Sequence, residues 1–236
     1  MKTAFITGGG KGLGKGFAKY FLDKGFQVFV GVRNPDNIGE DLKNKKNLIV
    51  VKMNVSDDES IKSVFKEVSK KVDHVDYLIN NAGLNKDSAT NGKKELVCNL
   101  NALDRESLLK MFNVNSISPM MVIKFFLPLL HSTPSFVINI TSARSSYKDE
   151  YPNTNGNYGY RASKAALNMM TFSSLFDLPK NVKTFVVHPG GVKTDMNPTG
   201  EHDPIEQAKK IIDISKNWRE EFNGRFLRFD GTFYPL

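Results

Sequence analysis

Short apolar runs alternate along this chain with longer stretches in which apolar residues recur at helical spacing. The runs at residues 4–7, 26–32, 48–53, 75–79, 136–140, 182–187 and 225–229 read as strands. They are apolar on both sides of the pleat, as strands covered on both faces are. Between them lie amphipathic patterns. Phe17, Ala18, Tyr20, Phe21 and Leu22 form one, with Gly25 as its stop. Ile61, Val64, Phe65, Val68 and Val72 form a second, opened by a capping box in Ser56-Asp57-Asp58-Glu59. Asp104 caps a helix through Leu108, Leu109 and Phe112. Residues 114–131 form a long apolar helix that starts near Pro119 and kinks near Pro128. Tyr160 lies on a helix continuing through Leu167, Met170 and Leu175, and Asp203-Pro204-Ile205-Glu206 opens the last one. The alternation predicts an α/β fold, a doubly wound parallel sheet of about seven strands with helices on both faces.

The remaining stretches are polar. Residues 84–101, 143–157 and 196–203 follow predicted strands, so they are expected as loops over the carboxyl edge of the sheet, where such folds bind ligands. No internal repeat or linker interrupts the chain, which reads as a single domain over residues 1–236.

The first strand runs directly into Gly8-Gly9-Gly10-Lys11-Gly12-Leu13-Gly14-Lys15-Gly16. A phosphate-binding Gly-x-x-x-x-Gly-Lys-Ser/Thr loop fits from Gly9 to Lys15, but Gly16 stands where the magnesium-holding hydroxyl belongs. The dinucleotide fingerprint Gly-x-Gly-x-x-Gly fails at Leu13. Thr-Gly-x-x-x-Gly-x-Gly fits, with Thr7, Gly8, Gly12 and Gly14. Glycines there let the backbone approach a pyrophosphate seated on the helix N-terminus. A carboxylate for the adenosine ribose belongs just after the second strand, and here the chain reads Val32-Arg33-Asn34. Arg33, with Lys11 in the loop, suits a 2′-phosphate instead, so NADP(H) is expected over NAD(H). The ordinary alternative is a pair of surface cations.

Tyr160-Arg161-Ala162-Ser163-Lys164 places a phenol and an ammonium one helical turn apart on the same side. A nearby cation favours phenolate, so the pair is suited to proton transfer near neutral pH. Alone, the pattern more often marks a surface helix whose long side chains cover apolar neighbours.

Composition narrows the function classes. The formal net charge is +8, from 33 basic and 25 acidic residues. The lysines are scattered, apart from short clusters such as Lys43, Lys45 and Lys46, so no nucleic-acid partner is expected. Cys98 is the single cysteine, and His74, His131, His188 and His202 lack ligand spacing, so no metal is expected. No apolar run has membrane-spanning length, and the first residues do not form a signal peptide, so no membrane partner and a cytoplasmic location are expected.

Thr7-Gly8…Gly12-Leu13-Gly14, Asn80-Asn81-Ala82-Gly83, Asn115, Ser142, Tyr160…Lys164 and Pro189-Gly190…Thr194 occur in one order over the whole chain. The set resembles the short-chain dehydrogenase/reductase family, which has a Rossmann fold. Tyr158-Gly159-Tyr160-Arg161-Ala162-Ser163-Lys164-Ala165-Ala166-Leu167-Asn168 and the ending Gly224…Phe226…Asp230-Gly231 are similar to the C-factor/sniffer-like branch of carbonyl reductases. The resemblance implies NADPH-dependent reduction of an aldehyde or ketone, with four catalytic residues. Tyr160 is the general acid, Lys164 lowers its pKa and holds the nicotinamide ribose, Ser142 hydrogen-bonds the substrate oxygen, and Asn115 holds a water beside Lys164. It places Pro189, Gly190 and Val192 near the carboxamide, Thr194 near carboxamide or phosphates, and Asn81, Ala82 and Gly83 on the adenosine side. Asn54, before Val55, stands where the family usually has an adenine-binding Asp. A small-molecule carbonyl or alcohol substrate and a homodimer or homotetramer are implied as well. Ser145 and Ser146 are rivals to Ser142, and Tyr158 to Tyr160, though Tyr158 has no lysine four residues on. The competing function class is a dinucleotide-binding regulator or sensor with little turnover.

Overall fold

The computed structural model describes residues 1–130, 134–148 and 156–236. Its strands are β1 (Thr3–Thr7), β2 (Gln27–Val32), β3 (Leu48–Lys52), β4 (Tyr77–Asn80), β5 (Ser135–Ile140), β6 (Val182–His188) and β7 (Phe226–Arg228). They form a seven-stranded sheet in the order β3-β2-β1-β4-β5-β6-β7, and every pairing is parallel. The strand order reverses between β1 and β4, which opens a crevice at their carboxyl ends. This is the predicted Rossmann-like architecture.

Helices flank the sheet: α1 (Gly12–Asp23), α2 (Asp58–Ser69), α3 (Lys86–Thr90), α4 (Glu95–Cys98), α5 (Arg105–Phe112), α6 (Ser118–Phe126), α7 (Tyr158–Ser173) and α8 (Pro204–Lys216). Successive strand residues point to opposite faces. Ala4 and Ile6 of β1 therefore join Phe17 and Phe21 of α1 and Ile211 of α8 in one core cluster. Phe5 between them joins Val64 and Val68 of α2 and Phe126 of α6 in the other. This two-sided burial is why the strands read as continuous apolar runs.

Several boundaries differ from the expectation. Asp57, not Ser56, caps α2, its carboxylate accepting the Glu59 N–H at 3.0 Å. The stretch 84–101, read as a loop, contains α3, α4 and a 3-10 turn at Leu100–Ala102. The long apolar helix does not start afresh near Pro119. It continues α5 through a π turn at Asn113–Ile117 into α6. Pro119 has no N–H to offer the Asn115 carbonyl four residues back, and the Asn113 carbonyl takes both the Ser118 N–H and, at 2.8 Å, the Ser118 hydroxyl. His131, at that helix's expected end, and residues 149–155 of the loop 143–157 lie outside the described residues. Among the described residues, no helix is long and apolar enough to cross a membrane.

Candidate active site and dinucleotide groove

An open groove runs along the carboxyl edge of the sheet. Its walls include Gly8, Lys11, Gly12, Leu13, Arg33, Asn54, Val55, Asn81 and Ala82 toward one end, while Gly83 lies beside the Lys164 ammonium and the Asn115 side-chain oxygen, away from its expected place on the adenosine side. Toward the other they include Ser142, Tyr160, Lys164, Pro189, Gly190, Val192 and Thr194. The predicted residues outside the lining are Thr7, Gly14 and Asn115, which support it from beneath.

The glycine loop is held by the end of β4. The Asn81 amide nitrogen donates to the carbonyls of Thr7 and Gly8, each at 3.1 Å. The Thr7 hydroxyl accepts the backbone N–H groups of Asn81 and Ala82 at 3.0 and 3.1 Å. A Cβ on Gly14 would collide with the Gly8 carbonyl and the Asn81 amide. One on Gly16 would strike the Pro204 carbonyl, so Gly16 is a helix-crossing residue and the phosphate-loop reading has no place for a hydroxyl. The first turn of α1 has neither a capping side chain nor an acidic residue. Its N–H groups therefore offer a seat for an anion, and the cradle fits a pyrophosphate.

At the ribose end, Arg33 is exposed just past β2. Lys11 reaches across the groove mouth to Asp195 at 3.0 Å, and both side chains are largely exposed. The Asn54 side-chain oxygen accepts the Ser56 N–H at 3.2 Å, which leaves its amide hydrogens as donors.

The proton-handling groups sit where β5 ends and α7 begins. Ser142 follows β5 after Thr141 and lines the groove together with Tyr160. Burial pushes the Tyr160 phenol above its ordinary range, against the pull of Ser142 and of the Arg144 charge. The Lys164 side chain is buried, and its Nζ donates to the Ile140 carbonyl at 2.7 Å. Burial lowers the lysine to about 8. The expected lowering of the tyrosine by Lys164 is thus not found: burial outweighs the pull of Ser142 and Arg144, and the ammonium is turned to the strand. Asn115 is fully buried in the π turn. Its oxygen accepts the Leu84 N–H at 2.7 Å, and its nitrogen donates to the Leu84 carbonyl and the Ser163 hydroxyl, each at 3.0 Å.

The rivals separate cleanly. The Ser145 hydroxyl donates to the Ser142 carbonyl at 2.6 Å, and the Ser146 hydroxyl accepts the Lys148 N–H at 2.9 Å. Both serve the turn that carries Ser142. Beyond β6, the Gln207 amide donates to the Pro189 carbonyl at 2.6 Å, and Thr194 packs against Gly12.

Sequence reasoning missed other lining residues. Glu106, Leu109, Lys110 and Asn113, from α5 and the π turn, line the groove. They belong to an ordinary amphipathic helix, so nothing in their pattern marks them. Asn168 was missed too, although its place one turn after Lys164 was a usable signal.

The family model for short chain dehydrogenases matches residues 2–204, and the chain belongs to that family. It is an NAD(P)-binding oxidoreductase. C-signal of Myxococcus xanthus is 34% identical over 165 residues, which span 68% of this chain and 92% of the relative. The NADPH-bound carbonyl reductase from chicken fatty liver matches with a TM-score of 0.87 at 27% identity, covering 100% of this chain and 99% of its own. The carbonyl reductase Sniffer of D. melanogaster matches with a TM-score of 0.87 at 28% identity, covering 100% of both chains.

Proposed function

We propose that this chain reduces an aldehyde or ketone to an alcohol with NADPH, Tyr160 giving the proton. The observation that carries the reading is the convergence of Ser142, Tyr160 and buried Lys164 on the same groove as the glycine loop. The carbonyl reductases among its structural relatives support it.

A bound nicotinamide dinucleotide supplies the hydride. Thr7, Gly8, Gly12, Leu13 and Gly14 seat its pyrophosphate. Asn81 and Ala82 form the wall of the adenosine side, with Asn54 and Val55 beside the adenine, and Gly83 stands next to Lys164. Pro189, Gly190, Val192 and Thr194 border the nicotinamide end. Ser142 donates to the carbonyl oxygen and draws charge onto it as the carbon accepts hydride. Tyr160, raised by burial, keeps its proton at neutral pH and delivers it to that oxygen. Lys164, at about 8, is mostly charged at pH 7, so it can hold the ribose and offset the phenolate that remains. The Asn115 side chain is fully engaged, so a water beside Lys164 would rest on its main-chain carbonyl, for which Pro119 has no N–H.

Arg33 and Lys11 favour NADP(H). The Lys11–Asp195 pair is exposed and therefore weak, so Lys11 is available to exchange partners with a 2′-phosphate. Met169 and Phe172 are exposed apolar side chains on α7, and they fit a contact with a second copy in a homodimer or homotetramer. A single catalytic domain in a reducing cytoplasm suits a lone cysteine.

The test is NADPH oxidation, followed by its near-ultraviolet absorbance, against a panel of aldehydes and ketones. Turnover with one or more members is expected. Tight NADPH binding with no turnover of any carbonyl or alcohol would replace this reading with a dinucleotide-binding regulator.

A further inference from the structure

We propose that Asn168 is a positioning residue that ties the Ser142 turn to the helix carrying Tyr160 and Lys164. The proposal rests on the functional reading above, because it concerns how those groups are held together.

Asn168 follows Lys164 by one helical turn and lies on the same side of α7. It is 6% exposed, Thr141 2% and Ser145 8%. The Thr141 hydroxyl donates to the Asn168 oxygen at 2.7 Å. The Asn168 nitrogen donates to the Ser145 hydroxyl oxygen at 2.9 Å, and that hydroxyl donates to the Ser142 carbonyl at 2.6 Å. The Thr141 hydroxyl also lies 3.4 Å from the Lys164 carbonyl, but its shorter bond is to Asn168. Ser145 has one hydroxyl proton, already directed at Ser142, so its oxygen must be served by a donor. Thr141 gives its own proton, so it needs an acceptor. The Asn168 amide offers both from one side chain. Leucine has the shape without either group, and aspartate lacks the donor.

The chain of bonds ends on the main chain of Ser142, beneath the hydroxyl that faces the groove. That hydroxyl oxygen accepts the Arg144 N–H at 3.2 Å, which leaves its proton to point at Tyr160 or at a substrate oxygen. On the strand side, the Thr141 N–H donates to the Val187 carbonyl at 2.9 Å. Ser142 is therefore fixed against β6 by its neighbour and against α7 by Asn168. The separation between the serine and tyrosine oxygens is set between two different elements, and Asn168 makes them one unit. Misplacing a reacting group by about 1 Å is enough to cost about a hundredfold in rate.

The test uses the full chain with Asn168→Leu, Ser145→Ala and the double substitution. Each single change should lower kcat for a carbonyl taken from the panel by about ten- to a hundredfold, with KM for NADPH held within about twofold. The double variant should fall no further than the worse single, because both cut the same link. Amide hydrogen exchange, followed by mass spectrometry on the same proteins with nothing added, should accelerate over residues 141–146 and not along the rest of α7. Unchanged kcat, additive losses, or unchanged exchange in that turn would each overturn the tether. Should Asn168→Leu not fold, Ser145→Ala alone carries both measurements. A wild-type chain that reduces no carbonyl fails the functional reading, while the exchange result still decides for or against the tether.

Discussion

At the amino end of the strands aromatic rings close over the sheet, while at the carboxyl end glycines, amides and hydroxyls line an open groove. Tyr77, which begins β4, stacks on Phe136 at the start of β5, with ring centroids 5.5 Å apart. Phe21 of α1 lies 5.0 Å from Tyr77, and Trp218 lies 5.4 Å from Phe136. At the opposite end the same strands finish in Asn80 and Ile140, followed by Asn81, Thr141 and Ser142. There the Asn80 amide donates to Asn139 at 2.8 Å, and Asn139 donates to Thr171 at 2.9 Å. The difference has a physical cause. At the amino end, bulk and burial of rings close the sheet. The carboxyl end trades apolar area for polar groups, the buried Asn80 and Asn139 amides bonded to each other beneath the groove. Stability is concentrated at one end and chemistry at the other.

Substitutions that should affect only one end can break that comparison. The largest expected effect is at the groove. Tyr160→Phe should lower kcat by about 10⁴-fold, close to 5.5 kcal/mol of barrier, without changing the melting temperature. Steady-state kinetics with residual turnover near wild type would remove Tyr160 as the proton donor. Phe21→Ala should do the reverse, costing about 3–5 kcal/mol in urea denaturation while kcat per folded molecule stays the same. A parallel collapse of kcat would show that the two ends are coupled.

Lys164→Met sharpens the trade within the groove. The fold lowers this lysine from its ordinary 10.5 to about 8, so burying the charge is a full cost below the folded value. Between those values the native state sheds its proton first, and stability rises with pH. The variant should therefore be more stable than wild type by up to about 3 kcal/mol at pH 7, an advantage gone by about pH 10.5, and it should be inactive. Denaturation curves across that range that stay parallel would show that Lys164 is not buried as a cation. The smallest effect belongs to the exposed edge. Arg33→Asp should cut the preference for NADPH over NADH, measured as the ratio of kcat/KM, by about tenfold or more. An unaltered ratio would take Arg33 off the 2′-phosphate.

Much of this could be read beforehand. The strands were legible because both faces are covered, so their apolar runs are unbroken. The ends of α1, α5 and α8 were legible from Gly25, Asp104 and Asp203, whose local chemistry caps a helix wherever it lies. The glycine loop and the Tyr160–Lys164 pair were legible from spacing set by local turns, whereas Ser142 was singled out only by the family resemblance. The π turn around Asn115 was not legible, because it depends on how Pro119 and Ser118 share carbonyls inside a packed helix. The groove wall on α5 was equally silent, since a side chain over a ligand site and one over solvent look alike in a helical pattern.

The sequence by itself determined the layers, the strand succession and the residue types at the groove, because these follow from periodicity and from short-range backbone chemistry. Tertiary structure alone decided which hydroxyl serves the turn and which faces the groove, that Lys164 sits on the Ile140 carbonyl at 2.7 Å, and that Tyr160 is held above its ordinary range. Desolvation and long-range hydrogen bonds set those outcomes, and both depend on distances between segments that are remote along the chain.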